Sequence, residues 1–260
     1  MSRKRQSAVR EQDIPLFQNQ RKNKQSFYLN ESKTIDFSQA QRMPKVNKRP
    51  VVLVPKSLNQ EKYILALLDQ DTDIVVVSGP AGAGKTFLGI LAAIKALRAG
   101  ECERIVLCRP AISVEGEDHG FLPGDLNSKL EPWVRPMLDI LREFYTSKEL
   151  ESMLSEHVIE FAPLGFMRGR TFKNAYIVLD ESQNSTPDHM LMLLTRIGLG
   201  TKIIIAGDTE QSDRRVTNNG LLDLVRRLEK HPIPGVTSCV LDSKDIQRHH
   251  IITDIIKLYN

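Results

Sequence analysis

Residues Ser78 to Thr86 read Ser-Gly-Pro-Ala-Gly-Ala-Gly-Lys-Thr, a match to G-x-x-x-x-G-K-[ST]. The apolar run Ile74 to Val77 precedes the match, and an apolar-periodic segment from Phe87 to Leu97 follows it. Strand, glycine-rich loop and helix in that order are the context in which such a loop cradles phosphate. Gly79, Gly82 and Gly84 let backbone N–H groups turn toward phosphate oxygens, and the helix N-terminus adds the positive end of its dipole. Lys85 reaches the terminal phosphates and Thr86 offers a hydroxyl to Mg²⁺. The expected nucleotide-binding set is Gly79, Pro80, Ala81, Gly82, Ala83, Gly84, Lys85, Thr86 and Phe87.

The rest of the chain supplies the fold that such a loop requires. Short apolar runs at Arg104 to Cys108, Val158 to Phe161, Ala175 to Leu179, Lys202 to Ala206 and Thr237 to Leu241 read as buried strands. Helical spacing occupies the intervals, from Leu58 to about Leu68, Leu126 to Tyr145 with interruptions at Pro132 and Pro136, Leu150 to Leu154, His189 to Ile197 and Leu221 to Lys230. Strands alternating with helices predict an α/β fold, a mostly parallel sheet with helices on both faces. A short β-branched run framed by Pro50 and Pro55 opens this domain, which is expected over 50–260.

The strand Ala175 to Leu179 ends in Asp180 and Glu181. An apolar strand that delivers two acids at its carboxyl end, in register after a phosphate loop, is the second half of a nucleotide-hydrolysing site. Asp180 is expected to hold the water shell of Mg²⁺, with Thr86, and Glu181 to polarise the attacking water. The next strand ends at Gly207-Asp208-Thr209-Glu210-Gln211, which puts Gln211 where a sensor of the terminal phosphate belongs. Arg109 follows its own strand, at the end where open α/β sheets place ligands. Gln60, at a helix start some twenty residues before the loop, has an amide that can both donate to and accept from adenine, and is expected to read the base.

Charge is distributed unevenly. Residues 1–50 hold 12 Lys and Arg against 4 Asp and Glu, leaving 24 against 28 for the remainder. Residues 1–49 are therefore expected to form a basic arm, in part disordered or peripheral, whose polar composition is weak core material. A basic arm on a nucleotide-hydrolysing core points to a polyanion partner, RNA or single-stranded DNA. No apolar run reaches transmembrane length and the N-terminus lacks the apolar centre of a secretion signal, so a soluble, cytoplasmic protein without membrane contact is expected. The three cysteines lie in or beside strands without metal-ligand spacing, and read as small buried apolar residues.

Taken together the motifs resemble the PhoH family. The residues that carry the resemblance are the phosphate loop, Arg109-Pro110, Gly120-Phe121-Leu122-Pro123-Gly124, Gly169-Arg170-Thr171-Phe172, Leu179-Asp180-Glu181-Ser182-Gln183-Asn184, Leu194-Thr195-Arg196-Ile197-Gly198, Gly207-Asp208-x-x-Gln211 and Arg248-His249. The resemblance implies an ATPase with a RecA-like core, similar to the first motor domain of superfamily 1 helicases, with ATP and Mg²⁺ as cofactors. Carried over by position, Gln183 and Gln211 would orient the attacking water or sense the γ-phosphate. Family members look like ring-shaped homo-oligomers, often hexamers. Some carry a fused PIN nuclease domain, which is not expected in this chain. Ser182 stands where the family more often has Ala, and Glu117-Asp118-His119 departs from the family's pattern. A short version with a basic arm is also what phage-encoded relatives look like.

A motor needs an arginine opposite the γ-phosphate, an effect that reaches about 10³ to 10⁵ in rate. One RecA-like domain does not normally supply this group to its own site. An adjacent subunit is expected to do so, through Arg248 first and Arg170 second. The expected function is a Mg²⁺-dependent ATPase acting as an oligomeric, helicase-like motor on RNA or single-stranded nucleic acid. The competing readings are a phosphotransferase built on the same loop and a slow nucleotide-dependent switch.

Overall fold

The computed structural model describes residues 49–110, 126–210 and 219–247, with backbone alone over 126–133. Contacts divide the chain into Met1–Val46 and Asn47–Asn260, and all described residues belong to the second unit. The expected basic arm, the Gly120 to Gly124 motif, Gln211 and Arg248 lie outside the described residues.

Six strands form one parallel sheet: β1 (Ile74–Ser78), β2 (Arg104–Arg109), β3 (Ile159–Pro163), β4 (Ala175–Leu179), β5 (Lys202–Gly207) and β6 (Val236–Val240). Their order across the sheet is β3-β2-β4-β5-β1-β6, and every pairing is parallel. A parallel sheet covered on both faces buries nearly every side chain of its inner strands, which is why these strands read as unbroken apolar runs. All five residues of β4 are buried.

Alternation along the strands sends successive side chains to opposite faces. Val75, Val77, Ile105, Leu107, Tyr176, Val178 and Ile204 face one core with helices α1 (Leu58–Leu68), α2 (Lys85–Ala99), α3 (Leu126–Arg142) and α4 (Ser147–Ser155). Val76, Val106, Cys108, Ile177, Leu179, Ile203 and Ile205 face the other, with α5 (Pro187–Leu194) and α6 (Gly220–Lys230). The predicted α/β sandwich is the architecture observed.

One expectation about elements is corrected. Helix α3 runs through Pro132 and Pro136 without a break. The prolines are one turn apart, so the missing N–H donors fall on one side of the helix, and the apolar stripe of Val134, Met137 and Leu141 stays buried. The β-branched run between Pro50 and Pro55 forms no regular element, and Val52 and Val54 are exposed on it. At the start of α5 the capping residue is Thr186, whose hydroxyl accepts from the His189 N–H, with Pro187 in the first turn.

Candidate active site

The carboxyl ends of β1, β4 and β5 meet at a cleft of about 570 Å³. Strand β5 lies between the strand that leads into the phosphate loop and the strand that ends in the acids. Loop and acids therefore face each other across one strand width instead of crowding. Ala81, Gly82, Gly84, Lys85, Thr86 and Phe87 line the cleft, together with Arg109, Asp180, Glu181, Gln183, Gly207 and Asp208.

The loop's shape follows from two glycines. Gly79 has φ +152°, and a Cβ there would lie 2.5 Å from the Leu241 carbonyl oxygen. Gly84 has φ +90° and sits at the N-terminus of α2 without a side-chain cap, so the first N–H groups of the helix point into the cleft. Gly79 N–H donates to the Gly207 carbonyl at 3.2 Å, which ties the loop to the end of β5. Pro80 and Ala83 contribute through their main chain: the Pro80 carbonyl accepts from Lys85 Nζ at 2.9 Å, and the Gly79 carbonyl does so at 2.6 Å. The Ala83 carbonyl accepts from Gln60.

Gln60 lines the cleft beside the loop, with its amide held by the protein. Its Nε2 donates to the Ala83 carbonyl at 3.0 Å and the Asp245 carbonyl at 3.4 Å, and its Oε1 accepts from the Lys56 N–H at 2.9 Å. Both amide donors are thus committed to the protein, and the residue is buried. Reading adenine with this amide would mean exchanging the long bond to Asp245 and the Lys56 contact for the base. The geometry is that of a brace under the loop. Tyr63, fully buried on the same helix, adds a second brace by donating to the Lys85 carbonyl at 3.0 Å. Burial pushes its phenol pKa up, so the hydroxyl keeps the proton it donates.

A third brace comes from the segment after β6. Leu241 N–H donates to the Ser78 carbonyl at 2.8 Å, and Gln247 N–H donates to the Gly82 carbonyl at 3.0 Å. Asp245 anchors this segment: its carboxylate accepts from the Asp242 N–H at 2.6 Å and from Asn59 at 3.0 Å. Burial alone would raise its pKa, but hydrogen bonds from Ser57, Asp242 and Asn59 outweigh that and hold the carboxyl below its ordinary value.

The acids are brought to the loop as expected. Asp180 is buried, its N–H donates to the Cys108 carbonyl at 2.8 Å, and the Thr86 hydroxyl donates to its Oδ1. Glu181 is half exposed in the cleft and has φ +52°, a left-handed conformation uncommon for a side chain of this size. Gln183 Nε2 donates to Glu181 Oε2 at 2.6 Å, and its Oε1 accepts from the Asp208 N–H at 3.1 Å. Its amide therefore ties β4 to β5 and aims Glu181.

Arg109 also lines the cleft, with no chemical role expected of it from its residue type and spacing. Its Nε and one terminal nitrogen donate to Asp180 Oδ2 at 2.9 and 2.7 Å, and the same nitrogen lies 3.6 Å from Glu181. The sequence signals were its place at a strand end and the Arg109-Pro110 pair among the motifs of the resemblance. Arg170 does not reach the cleft: both terminal nitrogens donate to the Glu160 carboxylate and its guanidinium lies over the Phe172 ring at 4.5 Å. Serving a neighbouring copy would require it to leave Glu160. Cys102 and Cys108 are buried as expected, and burial pushes the Cys102 thiol up to about 11 and the Cys108 thiol further, which leaves neither a nucleophile. Cys239 is only partly buried.

Thr86 Oγ1 and the Asp180 carboxylate form an oxygen-only donor set, beside a loop whose amides face the same space. Hard oxygen donors beside a phosphate site fit Mg²⁺, which keeps most of its waters and shares phosphate oxygens. Among the described residues no cluster of His, Cys, Asp and Glu suits a transition metal, and no helix is long and apolar enough to cross a membrane.

The family model for PhoH-like protein matches residues 52–260. The chain belongs to the PhoH family. It is 40% identical over 212 residues to a PhoH-like protein of Synechocystis sp., covering 82% of this chain and 63% of that one. With a PhoH-like protein of Bacillus subtilis the identity is 41%, covering 79% and 63%. The chain thus spans less than two thirds of the length of these relatives. Among solved structures it is similar in outline to a Hef helicase domain from Pyrococcus furiosus, at 12% identity and TM-score 0.42, covering 73% of this chain and 38% of that one, a likeness too remote to argue from.

Proposed function

We propose that this PhoH family member is a Mg²⁺-dependent ATPase that acts as a homo-oligomer, a hexameric ring in the family's manner, on RNA or single-stranded DNA in the cytoplasm. One observation carries the hydrolytic part: the Thr86 hydroxyl meets Asp180 in a cleft that also holds Glu181 and Gln183. The N–H groups at the start of α2 bind the phosphates, and Lys85 exchanges its loop carbonyls for the terminal phosphate oxygens. Mg²⁺, when bound, supplies charge neutralisation across the phosphates. Thr86 and Asp180 hold that ion, the latter through water. Glu181 accepts the proton of the attacking water, and Gln183 keeps its carboxylate turned toward the cleft. Gln211 senses the terminal phosphate and Arg248 of an adjacent copy completes the site, with Arg170 as the second candidate. The pairing of a water-directed acid with Gln183 favours hydrolysis over transfer to an acceptor.

The nucleic-acid part draws on the excess of Lys and Arg in residues 1–50 and on family membership. The test is ATP turnover with and without single-stranded RNA or DNA, on wild type and Lys85→Ala. Turnover that responds to nucleic acid and vanishes in Lys85→Ala is expected. Turnover indifferent to nucleic acid would remove the motor, and a strict monomer at all concentrations would remove the intersubunit arginine.

A further inference from the structure

Asp180 and Arg109 are the residues next to each other at the ends of two paired strands. In the β2–β4 register Cys108 lies opposite Leu179, and the Asp180 N–H donates to the Cys108 carbonyl. The backbone therefore fixes the two side chains side by side. Two guanidinium donors converge on one carboxylate oxygen, Oδ2, while the other oxygen, Oδ1, receives the Thr86 hydroxyl. The arginine side chain is 16% exposed and the aspartate side chain 5%. This is a buried, charge-assisted contact, well shielded from the solvent that weakens surface pairs.

We propose that Arg109 is a positioning residue for the metal-side acid: it grips Oδ2 of Asp180 so that only Oδ1 is presented to Thr86 and to a divalent cation. The proposal rests on the reading of this cleft as a Mg²⁺ site. Its physical content is a trade. A cation fixed 2.7 Å from the carboxylate and 3.6 Å from Glu181 lowers the attraction of the acid pair for a second cation. In return the carboxylate is held at one rotation, and misplacement of a group by about 1 Å can cost on the order of 100-fold in turnover. Arg109 thus makes the site bind its metal more weakly and use it better. Lysine would keep the charge but cannot direct two donors at one oxygen from a planar, preorganised group.

The experiment titrates Mn²⁺ into the nucleotide-free protein by electron paramagnetic resonance, alongside ATP turnover, for wild type, Arg109→Gln, Arg109→Lys and Asp180→Asn. Arg109→Gln is expected to bind Mn²⁺ about tenfold tighter while its kcat falls by about 10- to 100-fold. Arg109→Lys is expected to keep Mn²⁺ affinity near wild type and still lose turnover. Asp180→Asn is expected to abolish the site. A residue with a merely structural part would lower affinity and turnover together. Unchanged or weaker Mn²⁺ binding by Arg109→Gln overturns the proposal, as does Mn²⁺ binding that survives in Asp180→Asn. If Arg109→Gln fails to fold, Arg109→Lys decides alone: wild-type turnover in that variant overturns the proposal. Absence of ATP turnover in wild type would defeat the ATPase reading and leave the Mn²⁺ comparison standing.

Discussion

Gln60→Ala separates two jobs that one amide could hold at this position. In the structure the amide makes two good hydrogen bonds, to the Ala83 carbonyl at 3.0 Å and from the Lys56 N–H at 2.9 Å, and a long third one to the Asp245 carbonyl at 3.4 Å. A typical intramolecular hydrogen bond contributes about 0.5–1.5 kcal/mol, and a buried group left without its partner costs about 1–3 kcal/mol. Counting the long bond as weak, truncation to Ala should destabilise the domain by about 2–4 kcal/mol. For a domain of this size that is a fall of about 5–15 °C in Tm. The loop loses its support from below, so ATP and GTP binding should weaken by the same factor. Thermal melting by circular dichroism and titration with fluorescent ATP and GTP analogues read the two effects. An unchanged Tm together with selective loss of ATP over GTP would refute the brace and restore base reading.

Other outcomes follow from the same geometry. Asp245 has its pKa depressed in the folded state, so the stability it contributes is present above its unfolded pKa and is lost as pH falls through the folded value. Asp245→Asn should therefore melt lower than wild type at pH 7, by about 2 kcal/mol for hydrogen bonds to a charged group, and a melting series should show the gap closing below the usual carboxylate range. The Ser182 hydroxyl is fully buried and has no hydrogen-bond partner among the described residues, so Ser182→Ala should raise stability by about 1 kcal/mol, read as a higher Tm; a lower Tm contradicts this. A Cβ at Gly207 would lie 2.6 Å from Ser182 Oγ and 2.7 Å from Gln183 Oε1. Gly207→Ala should thus displace Gln183 and cut turnover while nucleotide titration still shows binding.

The parts of the fold and site that depend on local pattern were legible in the sequence. The phosphate loop, the buried strands and the acids at the end of β4 each follow from a short run of residues and its neighbours. What escaped depends on register. Arg109 and Asp180 are 71 residues apart, and only the pairing of β2 with β4 makes them partners. Gln60 was placed near the loop, yet its donors are claimed by carbonyls of two other segments, at Ala83 and Asp245, which no local pattern reveals. The segment from Leu241 to Gln247 has no motif of its own, and its part in shaping the loop appears only in hydrogen bonds to Ser78 and Gly82. Helix α3 shows the opposite error, where two prolines suggested a break that the buried stripe of Val134, Met137 and Leu141 overrides.

The claim that loop and acids form one hydrolytic centre is tested most directly by Glu181→Gln, assayed for ATP binding and for phosphate release in the presence of Mg²⁺. The substitution keeps the side chain's size and its contact to Gln183 but removes the base. ATP affinity within about twofold of wild type, with phosphate release reduced by about 10²- to 10⁴-fold, is the expected result. Phosphate release at the wild-type rate would show that Glu181 is not the base and would contradict the account.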